Sequence, residues 1–76
     1  LEIRILGTGC PKCEKLEKET RLAAEELGLD FTIDKVTQVK DIMAYGVMIT
    51  PALVVDGELK VVGKVPPREE IKALLQ

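Results

Sequence analysis

Gly9-Cys10-Pro11-Lys12-Cys13 stands between two runs of different periodicity, and its place between them decides how the rest of the chain is read. Before it, Leu1-Glu2-Ile3-Arg4-Ile5-Leu6 alternates apolar and polar side chains with β-branched residues, the pattern of a strand, and Gly7-Thr8-Gly9 breaks that pattern. After it, Leu16, Thr20, Ala23, Ala24 and Leu27 recur at spacings of three and four. They form one apolar stripe on a helix whose other faces carry Glu14, Glu17, Lys18, Arg21 and Glu25, and Gly28 is its natural stop. The two cysteines therefore fall at the first turn of a helix. Unsatisfied backbone N–H groups and the positive end of the helix dipole favour an anion there.

Further along, Phe31-Thr32-Ile33-Asp34-Lys35-Val36 alternates again and predicts a second strand, which a helical crossover would pair parallel to the first. Val39, Ile42 and Met43 give the apolar face of a short helix from about Gln38 to Tyr45, ended at Gly46. Val47-Met48-Ile49 leads into Thr50-Pro51, and Ala52-Leu53-Val54-Val55 is the most β-prone run in the sequence. Asp56-Gly57 is a hairpin signal that joins this run antiparallel to Leu59-Lys60-Val61-Val62, and Gly63 marks a bend or bulge. Pro66-Pro67 opens a last helix with Glu69 and Glu70 in its first turn and Ile71, Leu74 and Leu75 on its buried face. The order is βαβαββα without repeats or linkers, so residues 1–76 are expected to form a single α/β domain.

Composition narrows the function classes. A chain of 76 residues, 46% hydrophobic and 32% charged with a net charge of -2, can bury only roughly 60% of its unfolded surface. It has no Trp, no His and no basic patch, and Phe31 and Tyr45 are its only aromatics, so a nucleic-acid partner is not expected. The longest apolar stretch, Gly46 to Val55, is about half a membrane span and is broken by Thr50 and Pro51, which argues against a membrane partner. With no cleavable signal pattern, a cytoplasmic protein is expected. In a reducing compartment a lone Cys pair is catalytic or metal-binding rather than a structural staple.

If Cys10 is the N-cap, Pro11 falls at N1, where its missing N–H costs nothing, and the N–H groups of Lys12 and Cys13 aim back at the Cys10 sulfur. Sites of this kind lower a thiol pKa from about 8.5 to roughly 3.5–7.5. Cys10 is thus read as the attacking thiolate, with Gly9, Pro11 and Lys12 in support. Cys13, shielded on the side of the helix that carries Leu16, is read as the thiol that resolves a mixed disulfide. Lys12 and Lys15 add positive charge that Glu14 and Glu17 offset. Four other readings stand beside this one. A staple closing so short a loop would contribute only about 2 kcal/mol. A structural zinc site lacks two ligands, because there is no third Cys and no His. Two thiolates do suffice for Cu(I), so a soft-metal carrier remains open, as does an interaction module with an idle disulfide. Dithiol chemistry itself calls for no cofactor and no metal.

Thr50-Pro51 is the second signal, because a proline at the entrance of the best core strand cannot donate to a ladder and restricts the residue before it. Taken with a C-x-x-C about 40 residues upstream, it makes the chain resemble the thioredoxin/glutaredoxin superfamily, in particular compact thioredoxin-like proteins of archaea and bacteria. The matching pieces are Leu6-Gly7-Thr8-Gly9-Cys10-Pro11-Lys12-Cys13, Tyr45-Gly46-Val47, Thr50-Pro51-Ala52-Leu53-Val54-Val55-Asp56-Gly57, and Gly63 followed by the Pro67 to Leu75 helix. They cover nearly the whole chain in order.

The resemblance implies a three-layer α/β/α thioredoxin-like fold with a four-stranded mixed sheet in the order 2-1-3-4, the first and last helices on one face and the middle helix on the other. It implies a cis Thr50-Pro51 bond packed against the cysteines, so that Ile49, Thr50 and Pro51 present a backbone edge to a substrate chain. The implied activity is thiol–disulfide exchange on disulfide-containing target proteins by a monomer, with an external enzyme of the thioredoxin-reductase type restoring the dithiol.

Departures from the family pattern are informative too. Gly9 stands where thioredoxins usually carry Trp, and Pro11-Lys12 replaces their Gly-Pro. Arg4 stands where they often place a buried carboxylate, which leaves the proton route to Cys13 unassigned. Gly63 alone does not complete the twin glycine of glutaredoxins, so glutathione is not the expected reductant. A ferredoxin-like metal carrier would need the order βαββαβ, and the helix expected between the second and third strands counts against it.

Overall fold

Alternation along the first strand sets the layers of the molecule. In the structure, a computed structural model describing residues 1–76, β1 (Glu2–Leu6) turns Ile3 and Ile5 to one face of the sheet and Arg4 and Leu6 to the other. Helix α1 (Pro11–Glu26) carries the chain back so that β2 (Thr32–Val36) lies parallel to β1, from Glu2 opposite Thr32 to Leu6 opposite Val36. Helix α2 (Val39–Ala44) and a loop then deliver β3 (Ala52–Val55) to the other side of β1, antiparallel, with Ile3 opposite Val55 and Leu6 opposite Ala52. A two-residue turn at Asp56 (φ 49°) and Gly57 (φ 82°) leads into β4 (Glu58–Val62), and α3 (Arg68–Leu75) follows. Left-handed backbone at both turn positions matches the twist of the hairpin, which is why Asp-Gly serves there. The sheet order is β2-β1-β3-β4, the expected four-stranded mixed sheet.

Two apolar clusters hold the layers. On the larger side Ile3, Ile5, Leu53, Val55 and Val61 of the sheet meet Leu16, Ala23 and Ala24 of α1 and Ile71 and Leu75 of α3. Each large side chain buried there is worth roughly 1.5–3 kcal/mol. Thr20 shares this stripe, fully buried with its hydroxyl unpartnered, and so packs as an aliphatic group. Across the top of the helix pair, Arg68 reaches Glu19 at 2.8 Å and Glu26 at 2.8 Å, and Lys72 also contacts Glu26. The smaller cluster, on the other face, joins Leu6, Ala52 and Val54 to Ile42 and Val47, with Val36 and Tyr45 packed against it.

The expected element order and layers are present, with one local correction. Val39 and Met43 were expected with Ile42 on the buried face of the second helix, yet only Ile42 is buried and the other two are 60% and 58% exposed. A six-residue helix covers too little of the sheet to bury more than one side chain in the middle of its stripe. The bend expected at Gly63 is present, and a separate bulge that no turn residue signals lies at Lys60, because Val54 pairs with Leu59 and Leu53 with Val61. This bulge puts Val61 on the core face, while Gly63 makes the bend that follows. No helix is long and apolar enough to cross a membrane.

Candidate active site

The end of β1, the start of α1 and the loop entering β3 converge at one end of the sheet. Gly9 adopts φ +93°, a left-handed conformation in which glycine avoids the Cβ penalty, and so turns the chain from strand into helix. Cys10 follows with extended φ/ψ of -71° and 163° as the N-cap of α1, and Pro11 opens the helix. The Cys10 carbonyl accepts the first helical bond from Glu14 N–H at 3.1 Å. Its sulfur accepts from Cys13 N–H at 3.4 Å. Of the two backbone donors expected, Cys13 makes the bond and Lys12 N–H contributes less. Pro11 and Lys12 are exposed at the rim.

Both cysteines are free thiols, with Sγ atoms 2.7 Å apart, but their surroundings differ. Cys10 is half-buried and Cys13 is 5% exposed. The hydrogen bond from the Cys13 thiol, followed by that from the Cys13 N–H, lowers the Cys10 pKa below the usual thiol value. Burial, then the bond to Cys10, raises that of Cys13. Identical side chains three positions apart are thereby shifted in opposite directions, Cys10 toward the thiolate and Cys13 toward the thiol.

Thr50 is half-buried and Pro51 buried, and the bond between them is cis. The Pro51 carbonyl accepts from Gly63 N–H at 2.7 Å, which fastens the start of β3 to the end of β4. Ile49 is 63% exposed and lies against Gly63, where an added Cβ would come within 2.9 Å of Ile49 Cγ2. Neither Ile49 nor Thr50 belongs to a regular element or joins a backbone bond outside one, so this edge is unpaired. Thr8, Val39, Met43, Val47 and Met48 form an apolar groove beside Thr50, and this is where the two exposed apolar side chains of α2 lie.

Arg4 points away from the cysteines. It lies on the α2 face and donates to the Tyr45 hydroxyl, a bond that raises its already high pKa. A small pocket touches Cys13 on the opposite face, lined by Gly7, Gly9, Glu14, Lys35 and Thr37. Lys35 is held by Glu17 at 3.1 Å.

Sequence reasoning reads Gly7 only as part of the break after the first strand and Gly63 only as a bend or bulge. The Gly7 contact is made between a strand end and a helix, so no periodicity signals it. The spacing of Gly63 from Thr50-Pro51 was visible, but its contact with Ile49 was not.

The element order βαβαββα, with α2 between β2 and β3, differs from the βαββαβ that a ferredoxin-like metal carrier requires, and that alternative has no support. The thioredoxin domain family model matches residues 1–76. A curated protein named thioredoxin from Methanothermobacter thermautotrophicus is 45% identical over 99% of this chain and 97% of its own length. Another thioredoxin, from Methanocaldococcus jannaschii, is 46% identical over 97% of this chain and 85% of its own. The dithiol at the head of α1, the sheet order and these likenesses agree: the chain belongs to the thioredoxin family.

Proposed function

We propose that the chain is a thiol–disulfide oxidoreductase that reduces disulfides in other proteins through Cys10 and Cys13, residues 1–76 acting as one domain. The observation that carries this reading is the inequality of the two thiols, one lowered in pKa at the helix N-cap and the other raised by burial 2.7 Å away. The Cys10 thiolate attacks one sulfur of a target disulfide, forms a mixed disulfide and releases the first target thiolate, which takes a proton from water. Cys13 loses its proton and attacks Cys10, so the second target sulfur leaves and an internal disulfide remains. Two electrons have passed to the target. An external reductase of the thioredoxin-reductase type returns them, and the chain needs no cofactor or metal of its own.

The unpaired backbone at Ile49 and Thr50, with Pro51 behind it, receives the target as an added strand. Strand addition holds the disulfide over Cys10 and turns a bimolecular attack into a local one. Gly9, Pro11 and Lys12 support by shaping the N-cap and its rim. The reading includes a monomer working in the cytoplasm, within cellular redox homeostasis and electron transport.

Assay of insulin disulfide reduction with a chemical reductant tests it. The parent should turn over, Cys10→Ser should be inactive, and Cys13→Ser should perform one attack and remain bound to its target. Full turnover by Cys10→Ser would sink the assignment.

A further inference from the structure

We propose that Gly7 is the positioning residue for the resolving thiol, the space left by its missing Cβ being the seat that holds Cys13 Sγ against Cys10. This rests on the function proposed above. Gly7 is buried at the end of β1, and a Cβ built on it would lie 2.3 Å from Cys13 Sγ and 3.0 Å from Cys13 Cβ. The same position would be 3.9 Å from Thr50 Cβ, so the seat lies between the resolving thiol and the substrate edge.

The reason for glycine here is space and not backbone freedom. Gly9, Gly28, Gly46 and Gly57 have positive φ and open surroundings, whereas Gly7 is not among the positive-φ glycines and alone meets a sulfur. Neither partner can withdraw. The Gly7 amide is fixed to the Val36 carbonyl at 3.0 Å, and Cys13 rides on a helix locked to the core by Leu16, Ala23 and Ala24. A methyl group at position 7 must therefore rotate the Cys13 sulfur out of its place beside Cys10.

The two displacements depend on this seat differently. In the first, Cys10 attacks and Cys13 serves only as a hydrogen-bond donor, beside the backbone N–H that remains. In the second, the deprotonated Cys13 sulfur forms a bond to Cys10 Sγ while the Cys10–target bond breaks. The target leaves as a thiolate that takes a proton from water, and the Cys13 proton has already passed to water. That step needs the sulfur in line, and a misplacement of about 1 Å can slow such a step about 10²-fold.

The test is single-turnover reduction of a peptide disulfide, quenched with acid and read by mass spectrometry. In Gly7→Ala, resolution of the mixed disulfide should slow about 10²-fold while the attack slows less than about tenfold. The pH midpoint of Cys10 alkylation should also rise, as the thiol bond from Cys13 is lost. Stability provides the second measurement, through a cycle with Cys13→Ala. The cost of Gly7→Ala should shrink when the sulfur is gone, and should Gly7→Ala fail to fold, the double variant should recover the folded state. Resolution within about twofold of the parent, or an undiminished cost beside Cys13→Ala, overturns the role of Gly7 alone. A parent that leaves the peptide disulfide untouched overturns the reading of function, and this role with it.

Discussion

Cys10 and Cys13 differ because one backbone direction separates them. The helix begins between them, so its free N–H groups serve the first sulfur while the core closes over the second. Thiol reactivity follows thiolate fraction, and the opposite shifts predict a visible order of modification. Iodoacetamide should label Cys10 of the reduced protein first, with a rate that rises with pH through a midpoint below the ordinary thiol value of about 8.5. Cys13→Ala removes the largest cause of the lowering but keeps a backbone N–H at position 13, so its Cys10 midpoint should move up without reaching the ordinary value. Equal labelling of both cysteines at pH 7 would contradict this assignment. C-x-x-C was legible as a reactive pair, and the N-cap position made Cys10 the candidate nucleophile. That the larger cause is the neighbouring thiol, ahead of the helix N–H groups, required the sulfur positions.

Among the elements, α2 is the one whose sequence pattern misleads. Val39, Ile42 and Met43 share a face by spacing, but only Ile42 reaches the smaller cluster. Ile42→Ala should cost about 2–4 kcal/mol, as buried aliphatic truncations do, and Met43→Ala should change stability by less than about 0.5 kcal/mol. Urea unfolding of the two variants decides it, and comparable losses would place Met43 in the core. Helices α1 and α3 are joined differently, by Glu26 between Lys72 and Arg68 as well as by apolar packing. Lys72 first and Arg68 second hold the Glu26 pKa below its usual value. A depressed carboxylate adds stability above its unfolded pKa of about 4.3, and that stability is lost as pH falls through the folded value. Thermal unfolding should therefore show Glu26→Gln less stable than the parent near about pH 6, with the gap closing in the acid range below about pH 4. A gap that stays constant would mean that the clasp contributes nothing electrostatic.

At the scale of the molecule, the larger cluster ties α1, with the two cysteines at its head, and α3 to the sheet, while the smaller one holds α2 and the loop before Thr50. β1 and β3 are paired on both sides, and the chain from Val39 to Thr50 has one short helix and an unpaired edge. Amide exchange by NMR should accordingly be slowest in β1, β3 and the middle of α1 and fastest in the Gly46–Thr50 loop. Slow exchange throughout 46–50 would argue against an edge open to a target strand.

By itself the sequence determined the element order, the hairpin, the two faces of the sheet and the place of the dithiol at a helix start. Each of these is carried by local information: periodicity, turn residues, and the spacing of Cys10 from Cys13. Only the tertiary structure decided what lies between elements distant along the chain. It set Gly7 beneath Cys13, Ile49 against Gly63, Val39 and Met43 outside the core, the bulge at Lys60, and Arg4 turned from the cysteines toward Tyr45. The physical reason is that propensity and periodicity act within a few residues, whereas close contact across the sheet depends on how much area each packed helix covers and on which side chains, or missing side chains, meet there.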